Sequence, residues 1–366
     1  MSPTGDVVVV HDYLTQRGGA ERVVLTLATG FAGPPIYTSL YEPSETFPEF
    51  SALDVRTLPI NRMPVLRSHH RLALPILAPS FSRLHVDAEV AICSSSGWAH
   101  GAHVSGRKIV YCYTPARWLY QPDRYLNGAS GLSAAALSLL APPLRRWDRR
   151  AAASADRYLA ISQAVRSRVA DVYGIDADVV HPPVDLDTTG PADPVAGVEP
   201  GYYLCVSRLL AYKNVEAVTA AFGYLAGERL LVVGTGPLRE HIIAAAPANV
   251  TVMGSVSDAN LRWLYASSAG LVAASYEDFG LTPVEAASFA KPTAALRWGG
   301  FLDTTVEGST GVFFDQPQPR LIADAVERLG RTDWDPATLV SHAGQFSADR
   351  FIRRMHQVVD EERRLS

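Results

Sequence analysis

A chain of 366 residues is long for one hydrophobic core and divides naturally into two α/β domains. Its 48% hydrophobic and 19% charged residues fit the soluble globular class, and a net charge of −4 excludes nucleic acid as a global partner. Cys93, Cys112 and Cys205 lie in strand-like runs without metal-ligand spacing and read as reduced core thiols of a cytoplasmic protein. The opening residues 1–6 carry no basic cap or apolar signal core, and no apolar run reaches the length of a membrane span, which leaves peripheral attachment as the membrane option.

Residues 7–10 are four consecutive valines, the composition of a buried parallel strand, and the runs 88–93, 108–111 and 157–161 repeat that signal between helical segments. After the first strand, Arg17-Gly18-Gly19-Ala20-Glu21-Arg22 joins two glycines to the start of a helix, where bare backbone can approach an anion; Gly19 is the expected contact. A plain glycine turn is the competing reading. Between Asp54 and Asp87 the chain holds Arg56, Arg62, Arg67, Arg71 and Arg83 among apolar residues and no acid, and residues 132–144 lead into Arg145, Arg146, Arg149 and Arg150. Both stretches suit the headgroup layer of an anionic membrane surface, and two core helices with solvated arginines explain them equally well.

Residues 181–185, His-Pro-Pro-Val-Asp, with Gly190, Pro191 and Pro194, interrupt any helix or central strand and mark a hinge. The pairs Asp176/Asp178 and Asp185/Asp187 have a spacing that metals use but flank this hinge, so they read as turn and capping residues and no metal is expected. Beyond it, runs at 202–206, 229–233, 249–253, 270–273 and 293–296 form a second βαβ series. Arg208 and Lys213 follow the first of these, and a guanidinium with an ammonium at the carboxyl edge of a sheet suits a diphosphate; two surface cations are the alternative. Gly234-Thr235-Gly236-Pro237 permits a tight turn but lacks the full dinucleotide fingerprint.

The string Glu277-Asp278-Phe279-Gly280-Leu281-Thr282-Pro283-Val284-Glu285 leaves the strand at 270–273 and opens a helix. Backbone N–H groups around Gly280 and Leu281 then point at an anion, and Glu285, a turn inside, can accept hydrogen bonds from vicinal ribose hydroxyls. The competing reading makes Glu285 a helix cap and Glu277 a solvated loop charge. From Ala348 through Phe351, Met355 and Val358 the apolar spacing predicts a helix with a charged end.

In this order and spacing the motifs resemble the retaining GT-B glycosyltransferases of family 4, and within them the mannosyltransferases that assemble O-antigens and other lipid-linked polysaccharides. The matching segments are His11-Asp12-Tyr13-Leu14 with Gly18-Gly19-Ala20-Glu21, Tyr111-Cys112-Tyr113-Thr114-Pro115 with Arg117, the string at 181–185, Arg208 with Lys213, Gly234-Thr235-Gly236-Pro237, and Glu277 to Glu285. They cover nearly the whole chain. The resemblance implies an α/β fold of two facing Rossmann-like, doubly wound domains with a deep interdomain cleft. Residues 1–183 are then the acceptor-binding domain, 184–345 the nucleotide-sugar-binding domain, and 346–366 a helix packing back toward the first.

It further implies that Arg208 and Lys213 hold the donor diphosphate, Glu285 the ribose, and that Glu277 faces the transferred sugar, so that Glu277, Arg208 and Lys213 form the catalytic set. Phe279, Gly280, Leu281 and Thr282 are expected to meet sugar and phosphate largely through backbone, and Val256, in Met253-Gly254-Ser255-Val256, to pass beside the base. Similar enzymes usually place histidine where this chain has Tyr113; the phenol is expected in the donor-sugar pocket, with a core aromatic as the alternative.

The implied reaction retains anomeric configuration through front-face attack, with a phosphate oxygen taking the acceptor proton, cationic groups stabilising the leaving diphosphate, and neither protein nucleophile nor cofactor. Its expected form is hexose transfer, mannose from GDP-mannose favoured, to a glycan or lipid-linked saccharide, by a cytoplasmic enzyme peripheral to the inner face of the plasma membrane. Two alternatives are a transferase using a UDP-sugar on a small-molecule or natural-product acceptor, and a non-catalytic sugar-nucleotide-binding protein. An epimerase or phosphorylase of the same architecture needs a catalytic carboxylate or a cofactor lysine, and the sequence has no clear candidate for either.

Overall fold

The computed structural model describes residues 7–68, 73–121, 131–184 and 187–365. It divides into two compact units, Met1–Pro183 with Ala348–Ser366, and Val184–Ser347. The chain thus leaves the first unit, builds the second, and returns.

In unit 1 the strands are β1 (Val7–His11), β2 (Ile36–Thr38), β3 (Val55–Thr57), β4 (His85–Val86), β5 (Val90–Ser95), β6 (His103–Val104), β7 (Arg107–Cys112), β8 (Arg157–Ala160) and β9 (Asp178–Val179). Seven of them form a parallel sheet in the order β3-β2-β1-β5-β7-β8-β9, while β4 and β6 pair separately. The valines of β1 are central for a physical reason: helices cover both faces of such a sheet, so a strand in the middle needs apolar side chains on both sides. Val9 stands opposite Ile36 on one side and Ile92 on the other, and all three are fully buried.

Unit 2 repeats the design with β10 (Tyr203–Val206), β11 (Leu230–Val233), β12 (Val250–Met253), β13 (Gly270–Ala273), β14 (Thr293–Leu296) and β15 (Gly311–Phe314), all parallel, in the order β12-β11-β10-β13-β14-β15. Each run read from the sequence as a strand is one, with ends displaced by at most two residues; β2, β3, β9 and β15 and the β4–β6 pair were not expected. In each sheet the chain winds outward in one direction, returns to the middle, and winds out the other way, so the order reverses between β1 and β5 and between β10 and β13.

The helix Ala348–Arg363 belongs to unit 1. Its Phe351 meets Tyr111 edge-on at 5.5 Å, and His356 donates to the Gly30 carbonyl at 3.0 Å. Gly30 has to be small there, since a Cβ would lie 2.2 Å from the Ile352 side chain. At the far end Glu362 is buried and accepts two bonds from Arg107, at 2.9 and 2.6 Å, with Arg157 at 3.7 Å.

At the start of unit 2, Asp187 is an exposed turn residue accepting from both the amide and the hydroxyl of Thr189, which hold its carboxyl below the usual range. Asp176 and Asp178 pair with Arg166 and Arg157. Asp185 and Leu186 lie outside the described residues, as does Arg71 of the basic stretch. Within that stretch Arg56 is bonded to Asp54 and Arg67 to Glu42, so two of its cations are locally neutralised. The three cysteines are buried and form no disulfide, and burial pushes the Cys93 and Cys205 thiols up to about 12. Among the described residues no helix is long and apolar enough to cross a membrane.

Glu362→Ala strips two quarter-exposed arginines of their buried counter-ion. Discounted for that exposure from the range for breaking a fully buried pair, the expected cost is about 2 kcal/mol. A lower urea midpoint for unit 1 checks it; an unchanged midpoint means that Glu361 and Asp156 suffice to neutralise the pair.

Candidate functional site

The strings singled out in the second half of the sequence leave adjacent strands at the reversal between β10 and β13. Open α/β sheets bind ligands outside the carboxyl ends of strands at such a point, because the flanking connections diverge to opposite faces. Arg208, two residues beyond β10, is exposed, and its guanidinium lies 3.5 Å from the Tyr212 hydroxyl. Lys213 ends a single turn of 3-10 helix, Ala211–Lys213, is buried, pairs with Glu277 Oε1, and lies 4.9 Å from the centre of the Tyr212 ring. Two further bonds lace the same loops together: Asn214 donates to the Ala274 carbonyl at 2.8 Å, and the Tyr276 amide to the Tyr212 carbonyl at 3.2 Å.

From Glu277 the chain turns at Gly280, whose φ of +84° is left-handed, into the helix Leu281–Ser288. No side chain caps this helix, Pro283 sits in its first turn, and the start is positive in its dipole. Phe279 and Gly280 are buried, Leu281 and Thr282 half-buried. One turn further, Glu285 accepts the Tyr265 hydroxyl at 2.7 Å, and Tyr265 stacks on Phe289. Burial first, then the Glu285 charge, raises the Tyr265 phenol well above its ordinary pKa, so it stays protonated and acts as donor.

The two glycines of Trp298-Gly299-Gly300-Phe301, a run that reads from the sequence either as shaping the site or as core, brace this loop. A Cβ on Gly299, at φ +58°, would come 2.2 Å from the Glu277 carbonyl, and one on Gly300 2.2 Å from Phe279 Cα; the Gly300 amide donates to Glu277 O at 3.0 Å. The Gly-Gly pair directly after a strand was the available signal, whereas Tyr265 is a tyrosine inside a helix with nothing to mark it. Gly234 and Gly236 serve the neighbouring loop: a Cβ on either would strike the carbonyl of Ser207 at 1.9 Å or of Leu209 at 2.4 Å, so the connection after β11 can lie against that of Arg208. Val256 is half-buried against the unit 2 core beyond β12, farther along the same sheet edge.

In unit 1 the corresponding reversal places β1 beside β5. Gly19 is the first residue of the helix Gly19–Gly30 and is exposed; Gly18, its N-cap, makes no side-chain cap bond. Asp12 is a scaffold residue, buried and accepting from the amides of Ser96 at 2.6 Å, Trp98 at 3.2 Å and Ala99 at 2.6 Å. Burial raises its carboxyl pKa against the pull of His11 and these amides. Tyr113 is buried and stands edge-on to Tyr111, with its oxygen 3.2 Å from the Ala20 carbonyl and 2.9 Å from Ser94 Oγ. A Ser95, His100, Asp148 series at 2.9 and 3.0 Å has the composition of a hydrolytic triad, but all three are sealed from solvent, and Tyr120 and Tyr173 also bind the aspartate.

Gly280→Ala places a methyl 2.4 Å from the buried Phe301 ring and forces a left-handed alanine. The backbone term alone is roughly 1–2 kcal/mol, so thermal denaturation is expected to show a clear loss; an unchanged transition would mean that the turn relaxes freely.

Comparison with known proteins fits this geometry. A family model described as "Glycosyltransferase Family 4" matches residues 17–188, and one described as "Glycosyl transferases group 1" matches residues 200–331. The D-inositol 3-phosphate glycosyltransferase of Mycobacterium tuberculosis is 29% identical over 235 residues, 56% of this chain and 49% of the relative, so the chain spans about half the length of the curated relatives it matches. Among solved structures, Anabaena HepE in complex with UDP-glucose aligns over 97% of this chain and 100% of its own with TM-score 0.71 at 15% identity. Sucrose-phosphate synthase of Thermosynechococcus elongatus aligns over 99% and 100% with TM-score 0.69 at 17% identity. With one family model on each unit and two Rossmann-like sheets of matching topology, the chain is of the group 1/family 4 glycosyltransferase type, with GT-B architecture.

Proposed function

We propose that the chain is a retaining hexosyltransferase that takes its sugar from a nucleotide diphosphate sugar and delivers it to a saccharide. The observation that carries this reading is the joining of Lys213 to Glu277 beside the uncapped start of helix Leu281–Ser288, at the sheet reversal. In this reading the diphosphate takes Lys213 and Arg208 as counter-ions and lies at the helix start, where the dipole favours negative charge. Glu277, released from the ammonium, accepts hydrogen bonds from the sugar hydroxyls, and Glu285, oriented by Tyr265, accepts those of the ribose.

As the glycosidic bond breaks, charge grows on the leaving phosphate, and donors already in place there stabilise it without reorganisation. The acceptor hydroxyl attacks from the same face and gives its proton to a phosphate oxygen, so no protein nucleophile takes part. Nothing in this scheme needs a metal. GDP-mannose is the favoured donor and a glycan or lipid-linked saccharide the favoured acceptor. A UDP-sugar is the second reading, supported by the likeness to HepE with UDP-glucose.

We also propose that unit 1 meets an anionic bilayer. The helix Gly131–Ala153 carries Arg145, Arg146, Arg149 and Arg150 along an open depression, next to a groove lined by Ala78, Pro79, Leu140, Pro143, Leu144 and Trp147. Leu139 of the same helix is 79% exposed, and an exposed apolar side chain on a helix that carries four arginines suits a headgroup layer.

Three measurements test these proposals. Across GDP-, UDP- and ADP-sugars without added metal, one donor should bind selectively and release nucleotide; no binding by any refutes the reading. With that donor, Arg208→Ala should lower kcat on the order of a hundredfold, and an intact rate removes Arg208 from the chemistry. Flotation with vesicles of phosphatidylcholine and phosphatidylserine should carry the protein upward, and changing the four arginines to glutamine should abolish this; no flotation of the unaltered protein ends the membrane proposal.

A further inference from the structure

We infer that Tyr113 is a positioning residue whose hydroxyl, through Ala20 and through Ser94 to His11, fixes the Gly18–Gly19 turn. The inference rests on the reading of Gly19 as a donor contact, and it concerns how that contact is held.

The direction of every hydrogen bond in this chain follows from which groups can only accept. The Ala20 carbonyl has no proton, so at 3.2 Å the Tyr113 phenol donates to it. Burial raises the phenol pKa well above its ordinary value, which keeps that proton in place. Having one proton, Tyr113 can only accept from Ser94, whose Oγ lies at 2.9 Å. The Ser94 hydroxyl proton is thereby committed, so the oxygen accepts from His11 Nδ1 at 3.0 Å. The same Nδ1 lies 3.2 Å from the Ser94 carbonyl, another group that only accepts, and so Nδ1 carries hydrogen. The result is a one-way series from His11 to Ser94 to Tyr113 to Ala20, and all three side chains in it are buried.

The two ends of the series give it a purpose. His11 is the last residue of β1, and Ala20 is in the first turn of the helix Gly19–Gly30, so the series bridges the two anchors of the connecting loop without passing through it. Its middle members are fixed elsewhere, Ser94 within β5 and Tyr113 just beyond β7. Gln16, Arg17 and Gly19 in the loop are exposed, and a glycine pair has more conformational freedom to lose than any other. A second tie comes from Glu21, whose buried carboxylate accepts Gln16 Nε2 at 3.1 Å and stands 4.0 Å from His11 Nε2.

Hydrogen exchange read residue by residue tests this without turnover. In Tyr113→Phe the amides of residues 15–20 should exchange faster by roughly 2- to 10-fold, the worth of one buried hydrogen bond, while β5 and β7 keep their protection. Ser94→Ala, which leaves the aromatic ring in place, should act in the same direction, and the double variant should exceed neither single one by much, because all cut one series. Unchanged exchange at residues 15–20, equal loosening of β5 and β7, or fully additive effects would overturn the inference. Calorimetric titration with GDP and with UDP should then show weaker binding in Tyr113→Phe by a similar factor. If the unaltered protein binds neither nucleotide, the donor reading fails, and the exchange result still decides the role of Tyr113.

Discussion

The reversal of strand order between β10 and β13 is the constraint on which the candidate site depends. Because connections on the two sides of that line run to opposite faces of the sheet, a crevice opens between the two loops at that edge. What holds them in register is a set of polar ties: Lys213 to Glu277, Asn214 to Ala274, and Tyr276 to Tyr212. Glycines make those ties reachable. Where Gly234, Gly236, Gly299 and Gly300 lie, backbone passes so near backbone that a single methyl would separate the loops.

The pairing of Lys213 with Glu277 also explains how a mostly buried ammonium is tolerated. Lys213 has a side chain 9% exposed, and an uncompensated charge there would be costly. Glu277, three-quarters buried itself, supplies the balance. Arg208 is different, being exposed with its guanidinium at a long 3.5 Å from the Tyr212 hydroxyl, so it can change rotamer at small cost. One cation is preorganised and the other adaptable.

Much of this was readable in the residues, and the remainder was unreadable for identifiable reasons. Strands such as Val7–His11 and Leu230–Val233 are central and apolar on both faces, so composition alone marks them. Ile36–Thr38, Val55–Thr57 and Asp178–Val179 are two or three residues long and near a sheet edge, too short for a pattern to form. Gly311–Phe314 had the composition but follows the polar Glu307-Gly308-Ser309-Thr310, which reads as loop. Candidate residues whose chemistry is local, such as Arg208, Lys213 and Glu277, are marked in the sequence by type and place. Tyr265 does not, because its role comes from a partner 20 residues away that only the fold brings near.

The return of the chain to unit 1 has a consequence for biogenesis. Arg107 and Arg157 are made early, but their counter-ion Glu362 lies 255 residues after Arg107, with the whole of unit 2 between. During synthesis the sheet of unit 1 can form with Arg107 and Arg157 held by Asp156 and Asp178 alone, while the surface around Gly30 lacks its cover. Unit 2, whose segments are contiguous, has no such wait. Docking of this one amphipathic helix onto unit 1 therefore follows synthesis of unit 2, and its rate depends on ionic strength.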